Sequence, residues 1–251
     1  MPQSNLLLGV NIDHVVTLRQ ARYRTMLASP NAEPCVLTAA LEAEKAGAHS
    51  ITIHLRADRR HIQDADVLLL RKHIGTKLNL EMGNTREILA IALEMRPDFV
   101  CMVPENREEV TTEGGLDVVG QCEALRSTVT ALSDNGTRVS MFIAPDLEQV
   151  RASADIGAAM IELHTGTFAN HTGPERDAEV RRLCAAAELG HALGLQINAG
   201  HGLTTKNLPD LWAVPHLAEL NIGHHIVSRA VFIGLRAAVQ EMLAMMATYR
   251  D

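Results

Sequence analysis

The chain has 251 residues, of which 47% are hydrophobic, 21% charged and 3% aromatic, and its formal net charge at pH 7 is −7. A chain this acidic has no broad basic surface for a phosphate backbone, and its few aromatic residues provide little surface for base stacking. Both observations argue against nucleic acid as a partner. No window approaches the roughly 18 uninterrupted apolar residues that cross a bilayer, and the N-terminal residues lack the cationic start of a signal peptide, so we expect no membrane association.

Short apolar or β-branched runs alternate along the chain with longer segments of helical period. The predicted strands are 6–13, 50–55, 78–82, 99–104, 139–144, 160–165, 195–199 and 219–223, and the main predicted helices are 38–46, 85–96, 116–134, 146–156, 175–193 and 225–248. Alternation of this kind is typical of βαβ units around a parallel sheet. We predict one domain over residues 1–251, an α/β (β/α)₈ TIM barrel with extra helical and loop segments.

Glycines punctuate the ends of several predicted helices, at Gly47, Gly136, Gly157 and Gly194. A glycine there suits the left-handed position that stops a helix and returns the chain to the sheet. Two segments exceed a minimal barrel: we predict a long loop over 19–34 and a polar loop over 104–115. Long loops at the carboxyl ends of barrel strands commonly carry substrate contacts.

Polar residues recur near the carboxyl ends of the predicted strands. Because side chains alternate along a strand, residues two apart share a face. The pairs are Asn11 with Asp13, Thr52 with His54, Asn79 with Glu81, Glu162 with His164, Asn198 with Gly200, and Asn221 with Gly223. For any one of these residues, the simplest interpretation is a structural hydrogen bond. Because they all lie at the end of the barrel where active sites occur, together they predict an enzyme.

Carboxyl and imidazole groups dominate this set. Glu81 and Glu162 lie on non-adjacent predicted strands, with His54 and His201 as further acid–base candidates. Buried carboxyls have raised pKa values and histidine titrates near neutrality, so the group can donate and accept protons at pH 7. A reaction with several proton transfers suits them better than a single hydrolysis.

Two glycine-containing segments predict phosphate binding. NAGHG at 198–202 follows the seventh strand and NIGH at 221–224 follows the eighth, and barrel phosphate sites are often built from these loops. A second cationic group follows strands 1 and 2 and is large enough to bind a second phosphate. It consists of Arg19, Arg22, Arg56, Arg59 and Arg60.

Other reaction classes can be weighed against the residues. A Schiff-base aldolase needs a lysine on a strand near its carboxyl end, and Lys45, Lys72, Lys77 and Lys206 do not meet that need. A metal-dependent barrel hydrolase could use Asp13, His54, Glu81 and His164, although no H-x-H or H-E-x-x-H spacing occurs. A non-catalytic barrel that binds a phosphorylated ligand is a third possibility.

Seven segments together resemble the pyridoxine 5′-phosphate synthase family of the deoxyxylulose-phosphate-dependent vitamin B6 pathway. They occur in family order and span nearly the whole chain. They are LLLGVNIDHVVTLRQAR (6–22), ITIHLRADRRHI (51–62), NLEM (79–82), VPENREEVTTEGGLDV (103–118), IELHTG (161–166), NAGHGLT (198–204) and ELNIGH (219–224). The resemblance implies condensation of 3-amino-2-oxopropyl phosphate with 1-deoxy-D-xylulose 5-phosphate to pyridoxine 5′-phosphate, phosphate and water.

The resemblance also implies roles for individual residues. His54, Glu81 and His201 would transfer protons, and Glu162 would stabilise a charged transition state. The residues implied for the amino-ketone phosphate are Asn11, Arg22, Gly202, Gly223 and His224, and those for the deoxyxylulose phosphate are Asp13, His14, Arg56, His61 and Thr111.

Three further expectations concern the environment of the enzyme. The family works without a metal or an organic cofactor, because the substrate amine itself forms the imine, and its members assemble as homo-octamers. The cysteines, at 35, 101, 122 and 184, form no C-x-x-C pair. Irregular cysteines of this kind are typical of a reduced, cytoplasmic chain.

Overall fold

Eight parallel strands close into a barrel in the computed structural model, which describes residues 6–105 and 114–250. Each strand pairs with the next along the chain, and β1 pairs with β8 to complete the ring. The strands are β1 Leu7–Asn11, β2 Ser50–His54, β3 Lys77–Met82, β4 Phe99–Met102, β5 Arg138–Ile143, β6 Met160–His164, β7 Gln196–Gly200 and β8 Leu217–Ile222. The predicted (β/α)₈ barrel is confirmed.

Helices connect the strands and cover the barrel. They are α1 Asp13–Tyr23, α2 Val36–Ala46, α3 Asp64–His73, α4 Arg86–Met95, α5 Cys122–Asp134, α6 Leu147–Asp155, α7 Gly166–Asn170, α8 Pro174–Ala192, α9 Leu208–Leu211, α10 His224–Ile233 and α11 Leu235–Met246. All four glycines predicted to stop a helix have positive φ, from +82° to +107°. Within the described residues no helix is long and apolar enough to cross a membrane.

The N-terminal region differs from the prediction of a strand to residue 13 and a loop from 19. Helix α1 begins at Asp13, whose backbone N–H donates to Asn11 Oδ1 at 2.9 Å. An acidic residue in the first turn also favours a helix here through the helix dipole. Arg19, expected near a phosphate, instead forms a buried two-point ion pair with Asp66, at 2.8 and 2.7 Å. The apolar run of β1 continues directly into this helix, so periodicity alone placed the boundary too late.

The C-terminal segment 225–248, expected to form one helix, is divided into α10 and α11. Gly234, between them, has φ +81° and ψ 153°, a conformation that a helix interior does not allow. The glycine has open space around it. Backbone freedom at this position therefore divides the segment.

The barrel strands separate apolar from polar side chains by their alternation. Ile51 and Ile53 of β2 are fully buried in the hydrophobic core, whereas Ser50 and Thr52 face polar partners on β8. The hydroxyl of Ser50 donates to Glu219 at 2.7 Å. Buried polar groups must find such partners or destabilise the fold by several kcal/mol. A hydrogen-bonded polar layer thus lies inside the barrel, below its carboxyl ends.

Candidate active site

A cavity of about 1000 Å³ opens where the strands end at their carboxyl side. Most of the predicted site residues line it, although they come from distant parts of the chain. They are Asn11, Asp13, His14, His54, His61, Glu81, Glu162, His201, Gly202, Gly223 and His224. The parallel barrel brings them together because all strand ends of one polarity meet on one face.

The first group of side chains, which we call the imidazole cluster, consists of Asp13, His54, Glu81 and Glu105. His54 ends β2, and its backbone N–H donates to Asp13 Oδ1 at 3.0 Å. Its Nδ1 lies 3.9 Å from Glu81 Oε2, and its Nε2 lies 3.3 Å from Glu105 Oε1. A single imidazole is therefore surrounded by three carboxyl groups.

The carboxyl groups of this cluster differ in how firmly they hold a proton. Burial raises the pKa of Asp13 to about 6, against the opposing influence of His54. Burial also raises the pKa of Glu81 well above its usual range, and the charges of Glu162 and Asp13 raise it further. Burial and the neighbouring charges therefore both favour the protonated form of Glu81, and a shift of this kind is typical of catalytic carboxyls.

A second group, which we call the amide cluster, consists of Glu162, Asn221, Thr52 and Asn79. Asn221 Nδ2 donates to Glu162 Oε2 at 2.6 Å. Asn221 is itself oriented by Thr52, whose hydroxyl donates to Asn221 Oδ1 at 3.0 Å and accepts from Asn79 at 3.3 Å. Burial raises the pKa of Glu162 to about 7; the bond from Asn221 opposes the rise, and the charge of Glu219 adds to it.

Imidazole rings line the walls between these clusters. His164 and His201 have ring centroids 5.0 Å apart, and those of His14 and His224 are 5.1 Å apart. Burial lowers the pKa values of His14 and His201, and together with the charge of His54 it lowers the pKa of His61 to about 3. The lowered pKa values favour the neutral form of His14, His61 and His201, so each of these three rings can accept a proton or a hydrogen bond.

The loops after β7 and β8 have the backbone geometry expected of close ligand contact. His201 and Gly202 have φ values of +84° and +77°, and a Cβ added to Gly202 would lie 2.6 Å from the Cβ of Ala169. Gly223 precedes α10, and a Cβ there would lie 3.0 Å from the Cβ of Asn11. Glycine therefore leaves space for backbone N–H groups that can hold an anion.

Two predicted binding residues do not line the cavity, and a third cannot be placed. Arg22 lies exposed in the last turn of α1, its guanidinium 5.6 Å from the centroid of the Tyr23 ring. Arg56 is buried; within the described residues its Nε makes no hydrogen bond but lies 3.7 Å from Asp58 Oδ1, in an ion pair. Thr111 lies outside the residues that the structure describes.

Sequence reasoning missed two side chains of the site. Glu105 lies in the loop after β4, which ends at Met102, and contacts His54, and the Cys101 thiol donates to Glu162 Oε2 at 3.8 Å. Cys101 lies in β4 opposite Glu81 of β3, so strand register could have indicated it. The signal for Glu105 was its position in the polar loop after β4, where a carboxylate needs a partner.

Three of the four residues considered for a metal come together. Donor atoms of Asp13, His54 and Glu81 all lie within 4.8 Å of one another, whereas His164 is not part of that group. Nitrogen and oxygen donors of this kind suit Zn²⁺. The raised pKa of Glu81 opposes such binding, because its proton would have to leave first.

The fold and this site define a (β/α)₈ enzyme that carries out acid–base chemistry beside loops able to hold an anion. Residues 8–248 match the family described as "Pyridoxal phosphate biosynthesis protein PdxJ", and the chain belongs to this family.

Two relatives named pyridoxine 5′-phosphate synthase agree with this assignment. One, from Akkermansia muciniphila, is 60% identical over 238 residues, which cover 94% of this chain and 97% of the relative. The other, from Synechococcus sp., is 54% identical with the same coverage. These matches confirm the resemblance and the synthase activity that the motifs predicted. The solved structure of the tryptophan synthase A-subunit from Pyrococcus furiosus shares the fold alone. It is 14% identical, with a TM-score of 0.62, and the match covers 97% of this chain and 100% of that one.

Proposed function

We propose that the chain condenses 3-amino-2-oxopropyl phosphate with 1-deoxy-D-xylulose 5-phosphate, giving pyridoxine 5′-phosphate, phosphate and water. The observation that carries this proposal is the pair of buried carboxyls, Glu81 and Glu162, facing one cavity with His54 and His201. Ring closure by condensation and dehydration needs repeated proton transfers, and groups with pKa values near neutrality supply them.

Proton transfer is assigned to His54, Glu81 and His201. Burial favours the protonated form of Glu81, so we assign it the role of an acid towards a leaving hydroxyl. His201 has a lowered pKa because of burial and can act as a base. His54, between Glu81 and Glu105, is placed to exchange protons with the substrate and with Glu81.

Glu162 is assigned to the stabilisation of positive charge. Its pKa of about 7 means that it is partly ionised at neutral pH, and its partners Asn221 and Cys101 are neutral. An ionised Glu162 therefore has no formal positive charge against it in this amide cluster, and a protonated imine of the substrate would supply one. Stabilising a charge that develops during the reaction is among the largest contributions to catalysis.

Substrate binding is divided between the two sides of the cavity. For the amino-ketone phosphate we assign Asn11, Arg22, Gly202, Gly223 and His224, and for the deoxyxylulose phosphate Asp13, His14, Arg56, His61 and Thr111. The positive φ of Gly202 and the buried guanidinium of Arg56, whose Nε makes no hydrogen bond and lies 3.7 Å from Asp58 Oδ1, support the two phosphate contacts. Arg22 would have to reach the substrate from the exposed end of α1.

The imine nitrogen is assigned to the substrate amine. The lining of the cavity, taken over the described residues, includes no lysine. A Schiff base with the protein would need one. The chemistry therefore rests on the amine of 3-amino-2-oxopropyl phosphate.

A direct assay tests the proposal. Purified protein incubated with both phosphorylated substrates should release pyridoxine 5′-phosphate and orthophosphate in equal amounts, while omission of either substrate should stop both. Tight binding of the substrates without product would contradict the proposal and favour a non-catalytic phospholigand-binding barrel.

A metal-dependent hydrolase is the second candidate, because Asp13, His54 and Glu81 bring their donor atoms within 4.8 Å of one another. We expect synthase activity to be undiminished after treatment with EDTA. Activity that disappears with chelator and returns with Zn²⁺ would favour this candidate.

We further propose that the chain forms one domain over residues 1–251, and that it is located in the cytoplasm.

We also propose that the chain assembles as a homo-octamer. Val231 and Phe232 at the end of α10 are 73% and 80% exposed, which supports burial of this surface between subunits. Light scattering should give eight times the chain mass of 27.3 kDa. A monomer at assay concentrations would contradict the octamer, and recovery in a membrane or secreted fraction would contradict the location.

A further inference from the structure

Glu105 contacts His54 on the side opposite to Glu81. Its Oε1 lies 3.3 Å from His54 Nε2, and both side chains are almost fully buried, with 12% and 8% exposure. Neither the family motifs nor strand alternation assigned it a role. A buried carboxylate facing a catalytic imidazole is an arrangement that fixes which ring nitrogen carries the proton.

The position of the Glu105 side chain is defined by two other contacts. The backbone N–H of Ala57 donates to Oε1 at 3.1 Å and to Oε2 at 3.3 Å. A Cβ added to Gly83 would lie 2.8 Å from both Cγ and Cδ of Glu105, so the glycine leaves the space that this side chain occupies. The Ala57 N–H thus holds the carboxylate, and the lack of a side chain at Gly83 leaves room for it.

The charge of Glu105 follows from the same contacts. Burial alone would raise its pKa, but the hydrogen bond and charge of His54, the Ala57 N–H and the charge of Arg56 together lower it. Glu105 is therefore an anion at neutral pH, whereas burial and neighbouring charges favour the protonated form of Glu81. The imidazole of His54 lies between these two carboxyl groups.

We infer that Glu105 is a positioning residue of the synthase reaction: its carboxylate accepts the Nε2–H of His54 and so makes Nδ1, on the side of Glu81, the basic nitrogen. This inference rests on the proposed function. When Nδ1 takes a proton from the substrate or from Glu81, the imidazolium that forms is stabilised by the Glu105 carboxylate. The proton stays on Nδ1 until it is returned, and Glu105 itself gains none.

The first test is Glu105→Gln, which keeps the size of the side chain and removes its charge. We expect kcat to fall by roughly 10–100-fold, the scale for loss of a group that orients a catalytic histidine or ligand. The KM values for both substrates should change less than about threefold, because Glu105 binds neither. Glu87→Gln is the matched control: Glu87 follows β3 on the same side of the barrel, is 70% exposed and pairs with Arg59, so kcat should stay unchanged.

A double-mutant cycle with His54 separates positioning from a merely structural role. If Glu105 acts through His54, then adding Glu105→Gln to His54→Asn should change kcat by less than about twofold. Full additivity of the two losses would overturn the inference, and so would unchanged kcat in Glu105→Gln. Product formation by the unsubstituted enzyme tests the proposed function separately, so the two failures can be told apart.

A second variant covers the case in which Glu105→Gln does not fold. Gly83→Ala keeps the Glu105 charge but places a methyl group 2.8 Å from its Cγ and Cδ, which must move the carboxylate. We expect a fall of several-fold in kcat with little change in KM, and no further effect in the His54→Asn background. A Gly83→Ala enzyme that loses as much kcat with His54 absent as with it present would contradict the inference.

Discussion

The imidazole cluster and the amide cluster both surround buried carboxyl groups, but they do so with different partners. In the imidazole cluster, His54 contacts Glu105 at 3.3 Å and faces Glu81 at 3.9 Å, so protons can move between titratable groups. In the amide cluster, Asn221 donates to Glu162 at 2.6 Å, and neither Asn221 nor Thr52 titrates. The first arrangement suits proton transfer, and the second suits a carboxylate held in a fixed place.

This difference separates two uses of the same side chain. Burial and the charges of neighbouring carboxyls raise the pKa of Glu81 and favour its protonated form. Glu162 has a pKa of about 7 because hydrogen bonding by Asn221 offsets part of the effect of burial. Pairs of carboxyls whose surroundings separate their pKa values are typical of acid–base enzymes.

Removal of the imidazole should have the largest effect. We expect His54→Asn to lower kcat by about 10²–10⁴, the usual scale for one general acid–base group, and to change substrate affinity much less. Glu81→Gln should lower kcat on the same scale, because it removes the carboxyl group that faces His54. His73→Asn, on the exposed end of α3, is the matched control. Turnover near that of the unsubstituted enzyme in either variant would remove that residue from its role.

Neutralising Glu162 should stabilise the protein at high pH. Its pKa is raised from 4.5 to about 7, so the folded state favours the protonated form, and this stabilisation is present below pH 4.5 and lost as the pH rises through 7. In Glu162→Gln the loss does not occur. The difference in unfolding free energy between variant and unsubstituted protein should therefore grow by about 3 kcal/mol between pH 4 and pH 8.

Chemical denaturation at fixed protein concentration measures this difference. Glu94→Gln, an exposed position on α4, should give a difference that stays constant with pH. The Glu162→Gln enzyme should be more stable at pH 8 and less active, because the charge used in the reaction is gone. A constant difference for Glu162→Gln would show that Glu162 titrates no differently from an unfolded chain.

The amide cluster can also be broken through its donor. Asn221→Ala removes the 2.6 Å bond to Glu162, and that bond lowers the pKa of Glu162. The acidic limb of the profile of kcat against pH should therefore move to higher pH. At neutral pH kcat should fall by roughly 10–100-fold, the scale of one hydrogen bond to a charged group. Gln149→Ala, which removes hydrogen bonds outside the cavity, should leave the limb in place.

The fold was largely predictable because alternation and punctuation are local properties. Gly47, Gly136, Gly157 and Gly194 stop their helices or turns with positive φ, as expected. The errors arose where local pattern is ambiguous. The apolar period of β1 continues into α1, and the segment 225–248 keeps a helical period across Gly234, whose φ of +81° divides it.

Site residues could be predicted from the sequence where they lie at or just after the ends of strands. His54, Glu81 and Glu162 line the cavity because alternation along β2, β3 and β6 places them inside the barrel. Contacts between loops and strands follow no such rule. The distance between Glu105 and His54 depends on how the segment after β4 folds over β2, and the ion pair of Arg19 depends on Asp66, 47 residues away. The position of Glu105 in a polar loop indicates that it needs a partner, but for neither contact does the local pattern identify the partner.

The smallest effect is expected outside both clusters, at Arg22, which lies on the exposed end of α1 beside Tyr23. Arg22→Ala should raise the KM for the amino-ketone phosphate by several-fold and leave kcat nearly unchanged, because the contact would be equal in the ground state and the transition state. Arg24→Ala, also exposed and two residues further on, should leave both constants unchanged. A fall in kcat at constant KM would place Arg22 with the groups that act on the transition state. Equal effects of the two substitutions would indicate only the loss of general positive charge, and higher salt would then weaken both alike.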